Sequence, residues 1–187
     1  MKIGRLLLRL VVGGLFVGHG TQKLFGWFGG QGLDATAQGF EQIGMRPGRR
    51  NAIAAGAAEA GGGALLTLGL ATPLAASVLT ATMMTAIHRV HGTKGPWLTN
   101  GGYEYNLVLI AAVLALSEVG PGELSLDAAL GRERSGPEWA LAALLTGAIG
   151  AIGAHVAAAA QPAPPDQSTA QSTAEEDAAK SAEEQHA

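Results

Sequence analysis

The sequence contains no cysteine, few aromatic residues and few charges. The absence of cysteine excludes thiol catalysis, disulfides and thiolate-bound metals within the chain. Charged residues make up 14% of the 187 residues, whereas soluble domains carry about 25%. There are 12 Lys and Arg against 15 Asp and Glu, so no basic surplus indicates nucleic-acid binding. The chain lacks the polar side chains with which a soluble domain of this size covers its surface.

Hydrophobic residues and glycine are abundant instead, at 48% and 28 residues. Small residues let the helices of membrane proteins pack closely. All the glycines and all the long apolar runs lie before residue 161, whereas residues 161–187 are acidic and have no large apolar side chain. Such a segment cannot bury enough apolar surface to become ordered. We therefore predict an all-α, polytopic membrane protein with a disordered acidic tail.

Five segments approach the roughly 20 residues that a helix needs to cross a bilayer. They cover residues 5–24, 51–70, 72–90, 105–117 and 139–160. The short link before Pro73 predicts that the second and third segments form an antiparallel hairpin. No small-residue cleavage site follows the first segment, so we expect a retained helix rather than a signal peptide. The chain thus divides into a four-helix membrane domain at 1–130, an additional transmembrane helix at 131–160 and the tail at 161–187.

Small residues spaced four apart indicate where helix backbones approach each other. The pairs are Gly14 and Gly18 in the first segment, Gly56 and Ala60 in the second, and Gly147 and Ala151 in the fifth. This spacing predicts a bundle and carries no chemistry.

The long connection at residues 26–50 contains a further short helix. Asp34 is a suitable N-cap for it, and Ala37, Phe40 and Ile43 would then share one face. Trp27 lies just upstream and favours a helix lying along the lipid headgroups. An ordinary loop helix packed on the bundle explains the same residues equally well.

Glu59 is the most unusual polar residue, because it lies eight residues inside the second predicted span. On insertion scales, an ionisable group at that depth costs about 3 kcal/mol. One interpretation is a carboxylate that binds a proton or a ligand. The other is a buried carboxyl group that fixes helix packing. In both, we expect Glu59 to face the bundle interior and contact a polar partner.

Further polar residues are predicted to lie in the same half of the bilayer as Glu59. The first helix ends near this level, the third returns to it and the fourth starts from it. The predicted polar cluster comprises His19, Lys23, Glu59, His88 and Glu104. Glu104 belongs to it if the short fourth span extends back over Tyr103 and Glu104, but this span could instead extend forward to Glu118. Taken singly, His88 and its neighbour Arg89 are also explained as interfacial residues, and Lys23 as a snorkelling one.

Three strings carry a resemblance to a known family: HGTQKLFGWFGG at 19–30, EAGGGALLTLGL at 59–70 and GPGELSLD at 120–127. Together and in this order they resemble the DoxX family of small bacterial inner-membrane proteins. The resemblance implies a four-helix membrane bundle and a loose link to membrane subunits of thiosulfate:quinone oxidoreductase and to oxidative stress. It also implies that the family's His, Lys and Glu positions correspond here to His19, Lys23 and Glu59, with His88 on the third helix. Residues beyond 130 lie outside it.

Three functions fit these patterns. The first is a quinone-binding component of a membrane oxidoreductase, with Glu59, His19 and His88 as catalytic residues. Its quinone site would be formed by His19, Lys23, Glu59, Tyr103 and Glu104. The second is a transporter for a small solute or protons, and the third is a structural or assembly subunit.

The partners and cofactors follow from the first of these functions. Because the chain has no cysteine, a partner redox protein would supply the electrons, and a homo-oligomer is the alternative assembly. His19 and His88 are the two residues that would ligate a haem, but two histidines at helix ends are a weak signal. We therefore expect neither haem nor metal, and a multi-pass location in the bacterial inner membrane, surrounded by lipid. Lys and Arg are balanced between the two sides, so charge does not fix the orientation.

Overall fold

A computed structural model of the chain describes residues 3–161, and the helices of this part are joined by turns and loops, with no strand among the described residues. Its α-helices are α1 (Ile3–Phe25), α2 (Gly32–Gln42), α3 (Gly48–Leu68), α4 (Thr72–Ala86), α5 (Glu104–Val119), α6 (Leu126–Ala129) and α7 (Pro137–Ala159). A wide π turn at Ile87–His91 continues α4, and short 3-10 turns lie at Trp27–Gly29, Gly92–Lys94 and Leu98–Asn100. The predicted disordered tail lies outside the described residues, apart from Gln161.

All five predicted spans are helical, but two of the helices are long and apolar enough to cross a membrane by length and composition: α1 and α7. The α-helical parts of α4 and α5 have 15 and 16 residues, which is short of a full span. In α3, two arginines near its start and the buried Glu59 lower the hydropathy of a helix that is otherwise rich in Ala and Gly. The predicted all-α fold is therefore confirmed, whereas the four-helix membrane bundle with a fifth transmembrane helix stays a prediction.

Helix α4 holds the arrangement together by packing against α3, α5 and α7. On the far side of α3 lies α1, and α2 packs across α3 and α1. The centre is formed by fully buried side chains of Phe16, Leu66, Leu79, Val113 and Leu116. The outward faces are apolar as well, since Val11, Val108 and Ile149 are all more than half exposed, at 57%, 62% and 68%.

Helices α1 and α3 cross at glycines, although not at all the predicted ones. A Cβ atom on Gly13 would lie 2.7 Å from the carbonyl oxygen of Gly63, and one on Gly20 would overlap the backbone of Gly56 and Ala60. The seven-residue spacing is the same on both helices, so the two pairs meet in antiparallel order. Outside their own stretch of α1, no atom lies within 4 Å of the Cβ positions of Gly14 and Gly18. The predicted contact through them is wrong, because Gly14 is rotated about 100° from Gly13.

The predicted hairpin between α3 and α4 is confirmed, and its turn is fixed by the 120–127 string. Pro73 lies in the first turn of α4. The carboxylate of Asp127, 4% exposed, accepts hydrogen bonds from the backbone N–H groups of Ala71 at 3.0 Å and Thr72 at 3.3 Å. These groups at the start of a helix otherwise have no intrahelical acceptor. The 120–127 string therefore has a structural role here.

Arg9 connects the same loop to the rest of the molecule. Arg9 is 3% exposed, and its guanidinium group donates to the carbonyl oxygens of Thr67, Pro121 and Leu124. One side chain thus ties α1 to the end of α3 and to the loop after α5.

We expect Arg9→Lys to lower stability by about 1–2 kcal/mol, because one ammonium group cannot reach three carbonyls in the directions that the guanidinium serves. The melting temperature of the purified protein in detergent measures the loss. Arg5→Lys is the control, since Arg5 makes an exposed hydrogen bond to Val119 and its replacement should cost less than about 0.5 kcal/mol. Equal melting temperatures for the two variants would contradict the role assigned to Arg9.

The short helix in the 26–50 connection is α2, and it packs on α3 and α1. The prediction that Asp34 caps it is wrong, because the N-cap position is Gln31 and the helix begins at Gly32. Asp34 lies in the first turn and forms an ion pair with Arg49 at 2.5 Å. A positive φ of 77° at Gly32 lets the helix start earlier than the sequence pattern indicates. The contacts of α2 with α3 and α1 are those that the packed loop helix requires, and the position of α2 relative to the lipid headgroups stays a prediction.

Candidate functional site

Glu59 forms an ion pair with Lys23, with 2.5 Å between the carboxylate Oε2 and the ammonium Nζ. Lys23 belongs to the last turn of α1. Gly20 lies about one turn before Lys23, and Gly56 about one turn before Glu59, so the close glycine crossing lets the lysine side chain reach α3. Glu59 is 5% exposed, and the Lys23 side chain is 28% exposed. The predicted contact between Glu59 and a polar partner is confirmed.

The ion pair lines a cavity of about 510 Å³ between α1, α2, α3, α4, α5 and α7. This volume lies in the range of small-molecule sites, roughly 300–1,000 Å³. Most of the wall is apolar, with alanines from α3 and α4 and larger side chains such as Phe40, Met83 and Leu109. An apolar space with a few convergent polar groups is the usual form of a binding site for a small organic molecule.

His19 is the third predicted residue that lines the cavity. It lies one turn before Lys23 on α1, and its Nδ1 atom is 3.2 Å from the side-chain oxygen of Gln22. His19, Lys23 and Glu59 therefore face one space, as the predicted cluster requires.

The structure does not bring the other three predicted residues to this space. His88 is exposed, and its ring packs edge-on against His155 of α7, with 4.6 Å between ring centroids. Glu104 is the first residue of α5, and its carboxylate accepts a hydrogen bond from the backbone N–H of Leu98 in the preceding loop, at 2.7 Å. Tyr103 precedes α5 and is absent from the cavity wall. The predicted single cluster is therefore corrected to His19, Lys23 and Glu59.

The physical reason is helix rotation, which equal depth does not fix. Adjacent residues on a helix point about 100° apart, and here Arg89 lines the cavity whereas His88 does not. The wide turn at Ile87–His91 presents Arg89 to the cavity and turns His88 towards α7. His19 lines this cavity, and His88 does not.

Several polar residues of the cavity wall were not predicted as site residues, among them Arg89, His91 and Asn106. Asn106 is 7% exposed, and its amide nitrogen lies 3.4 Å from the Met83 sulfur. The Nδ1 atom of His91 lies 2.7 Å from the carbonyl oxygen of Gly101. The signal for Asn106 was its place in the fourth apolar run. The only signal for Arg89 was its position at a helix end, and an arginine at the membrane interface occupies the same kind of position.

Metal ions are usually held by several His, Cys, Asp or Glu side chains that converge on one point. Over residues 3–161, no group of three or more His, Cys, Asp or Glu side chains is close enough to hold a metal ion. The groups that face the cavity are instead suited to hydrogen bonding and proton exchange with an organic ligand.

Comparison with known proteins agrees with the strings in the sequence. The sequence model of the DoxX family matches residues 4–92, which include Lys23, Glu59 and Arg89. The chain is also 36% identical over 126 residues to "Putative oxidoreductase CatD" of Bacillus subtilis (strain 168), covering 67% of this chain and 86% of that protein. The chain belongs to the DoxX family. DoxX proteins are membrane-associated. No solved structure matches this DoxX chain.

The family match ends just after the π turn, so it covers α1 to α4 and leaves out α5 and α7. The ion pair and Arg89 are thus carried by the DoxX-like part of the chain. Asn106 and the α7 wall of the cavity, including Gly150 and Ala154, lie beyond it.

Proposed function

We propose that this protein is a multi-pass inner-membrane component of an oxidoreductase and that its cavity binds a quinone. The observation that carries the proposal is the Lys23–Glu59 ion pair at the wall of an apolar cavity of about 510 Å³. The exposed apolar faces of α1, α5 and α7 support immersion in lipid. The name of the Bacillus subtilis relative supports the oxidoreductase class.

The residues suit a ring with two carbonyl oxygens. Alanine and larger apolar side chains form a wall against which the ring packs, and Lys23 and His19 can donate hydrogen bonds to an oxygen. Glu59 holds the ammonium group in place and balances its charge. Reduction of a quinone to a quinol takes up two electrons and two protons. The protons pass through the donors of the cavity, and the electrons come from a partner redox protein, since the chain has no cysteine.

In a multi-pass arrangement, the shorter helices cross the membrane together with the two long apolar helices. In the proposal, α3, the α4 segment with its π turn, and α5 cross the membrane between α1 and α7. They lie against α1 and α7 in the structure, so polar backbone at their ends is covered by protein or reaches the interface.

The test is direct binding of quinones to the full-length protein in lipid nanodiscs, with protein-free nanodiscs to subtract partitioning into lipid. We expect saturable binding of decylubiquinone or menadione. Glu59→Gln keeps the shape of the side chain and removes the charge that holds Lys23, so the affinity should fall by about tenfold. Glu118→Gln is the matched control, because Glu118 is exposed and outside the cavity wall. The absence of saturable binding to the unmodified protein would overturn the proposed function.

A further inference from the structure

Arg89 brings a second positive charge to the cavity. It lies in the π turn after α4 and lines the same wall as His91 and Val90. An arginine remains charged at any accessible pH, and its planar group offers five N–H donors. The cavity therefore contains a strong, fixed cation in addition to Lys23.

The guanidinium of Arg89 is poorly satisfied by the protein. Its Nη1 donates a long hydrogen bond of 3.4 Å to the carbonyl oxygen of Ile43. Its Nε is buried and has no hydrogen-bond partner within residues 3–161. No carboxylate of this described part forms an ion pair with it, whereas Lys23 is paired with Glu59.

The charges that face the cavity consequently sum to one net positive charge. Lys23 and Glu59 cancel, Arg89 remains, and His19 and His91 can only add positive charge. A buried or half-buried cation without a counter-charge is costly in an apolar environment. A ligand that carries a negative oxygen would remove this cost and satisfy the free N–H group.

We infer that the occupant of the cavity is an acidic ring compound whose ionised oxygen binds Arg89. The apolar wall takes the ring, and the guanidinium takes a ring oxyanion or a carboxylate attached to the ring. The inference rests on the proposed function and makes it more specific: the preferred quinones are those with an ionised hydroxyl or carboxyl group. Arg89 is then the residue that determines specificity, and the Lys23–Glu59 pair serves the other ring oxygen.

Two naphthoquinones of the same ring size test this inference. Lawsone carries a hydroxyl group that is ionised at neutral pH, and menadione carries a methyl group in its place. We expect full-length protein in phosphatidylcholine nanodiscs to bind lawsone at least about tenfold more tightly than menadione, corrected with protein-free nanodiscs. Arg89→Gln should abolish this preference by weakening lawsone alone, and Arg89→Lys should retain part of it. Arg50→Gln is the matched control, because Arg50 is an exposed arginine outside the cavity wall.

The outcomes separate the two proposals. Equal affinity of the unmodified protein for the two compounds would overturn the inference and leave the proposed function standing, and this comparison needs no variant to fold. Persistence of the preference in Arg89→Gln would overturn the assignment to Arg89. Binding of neither compound would remove the proposed function as well. An anionic lipid has the same charge as lawsone, so displacement of lawsone by phosphatidylglycerol in the nanodisc would assign Arg89 to a lipid headgroup and overturn the ring-ligand inference.

Discussion

Gly13→Leu should prevent the chain from folding stably, whereas Gly14→Leu should be tolerated. A Cβ atom at Gly13 would meet the carbonyl oxygen of Gly63 at 2.7 Å and the backbone nitrogen of Thr67 at 2.8 Å. These are backbone atoms of α3, so they can move aside only if the whole helix shifts. Overpacking a close contact costs about 1–3 kcal/mol, and here the two helices that hold Lys23 and Glu59 would separate. We expect a loss of about 3 kcal/mol or more.

Gly14→Leu is a closely matched control for Gly13→Leu. Gly14 is exposed, and no atom outside its own stretch of α1 lies within 4 Å of its Cβ position. Both substitutions add the same side chain to the same helix, one residue apart. The melting temperature and the yield of monodisperse protein in detergent compare them. Similar values for the two variants would mean that α1 and α3 do not cross at these glycines.

The same pair of glycines shows what the sequence could predict. Hydropathy and segment length placed all five long helices, because those properties depend only on which residues are consecutive. Close packing by glycine was also predicted correctly as a principle. The choice of Gly14 over Gly13 failed, since several faces of α1 carry small residues and the pattern does not fix the rotation of the helix about its axis. That rotation is set by the partner helix.

The candidate site was predictable to the same degree. Depth along each helix brought Lys23 to Glu59, because both lie on helices that are adjacent and antiparallel. Depth alone also included His88, which the π turn directs to α7. The role of Arg9 was not predicted, because its three carbonyl acceptors come from residues 58 to 115 positions away in sequence. Contacts at such separation leave no local pattern.

Replacing both Lys23 and Glu59 with apolar residues should preserve the stability of the fold and weaken quinone binding. Lys23→Met leaves the carboxylate of Glu59, 5% exposed, without its partner. Breaking a buried pair in this way costs about 3 kcal/mol. Glu59→Met should cost less, about 1–2 kcal/mol, because the Lys23 side chain is 28% exposed and its ammonium can reach a more polar layer. The double variant K23M/E59M should lie within about 1 kcal/mol of the unmodified protein, since apolar replacements of similar volume often substitute for a buried pair.

Quinone binding by the same double variant decides between the two interpretations of Glu59. If the pair acts on the ligand, K23M/E59M should have a near-normal melting temperature and bind quinones at least about tenfold more weakly, because no ammonium group remains to donate to the ring oxygen. If the carboxyl group only fixes packing, the double variant should recover quinone binding as well as stability. Measuring the melting temperatures of all four proteins gives the coupling energy of the pair, and titrating each with menadione gives its contribution to binding. Recovered binding would leave α1 and α3 held by an ion pair of purely structural role, and the cavity would then depend on Arg89, His19 and its apolar wall alone.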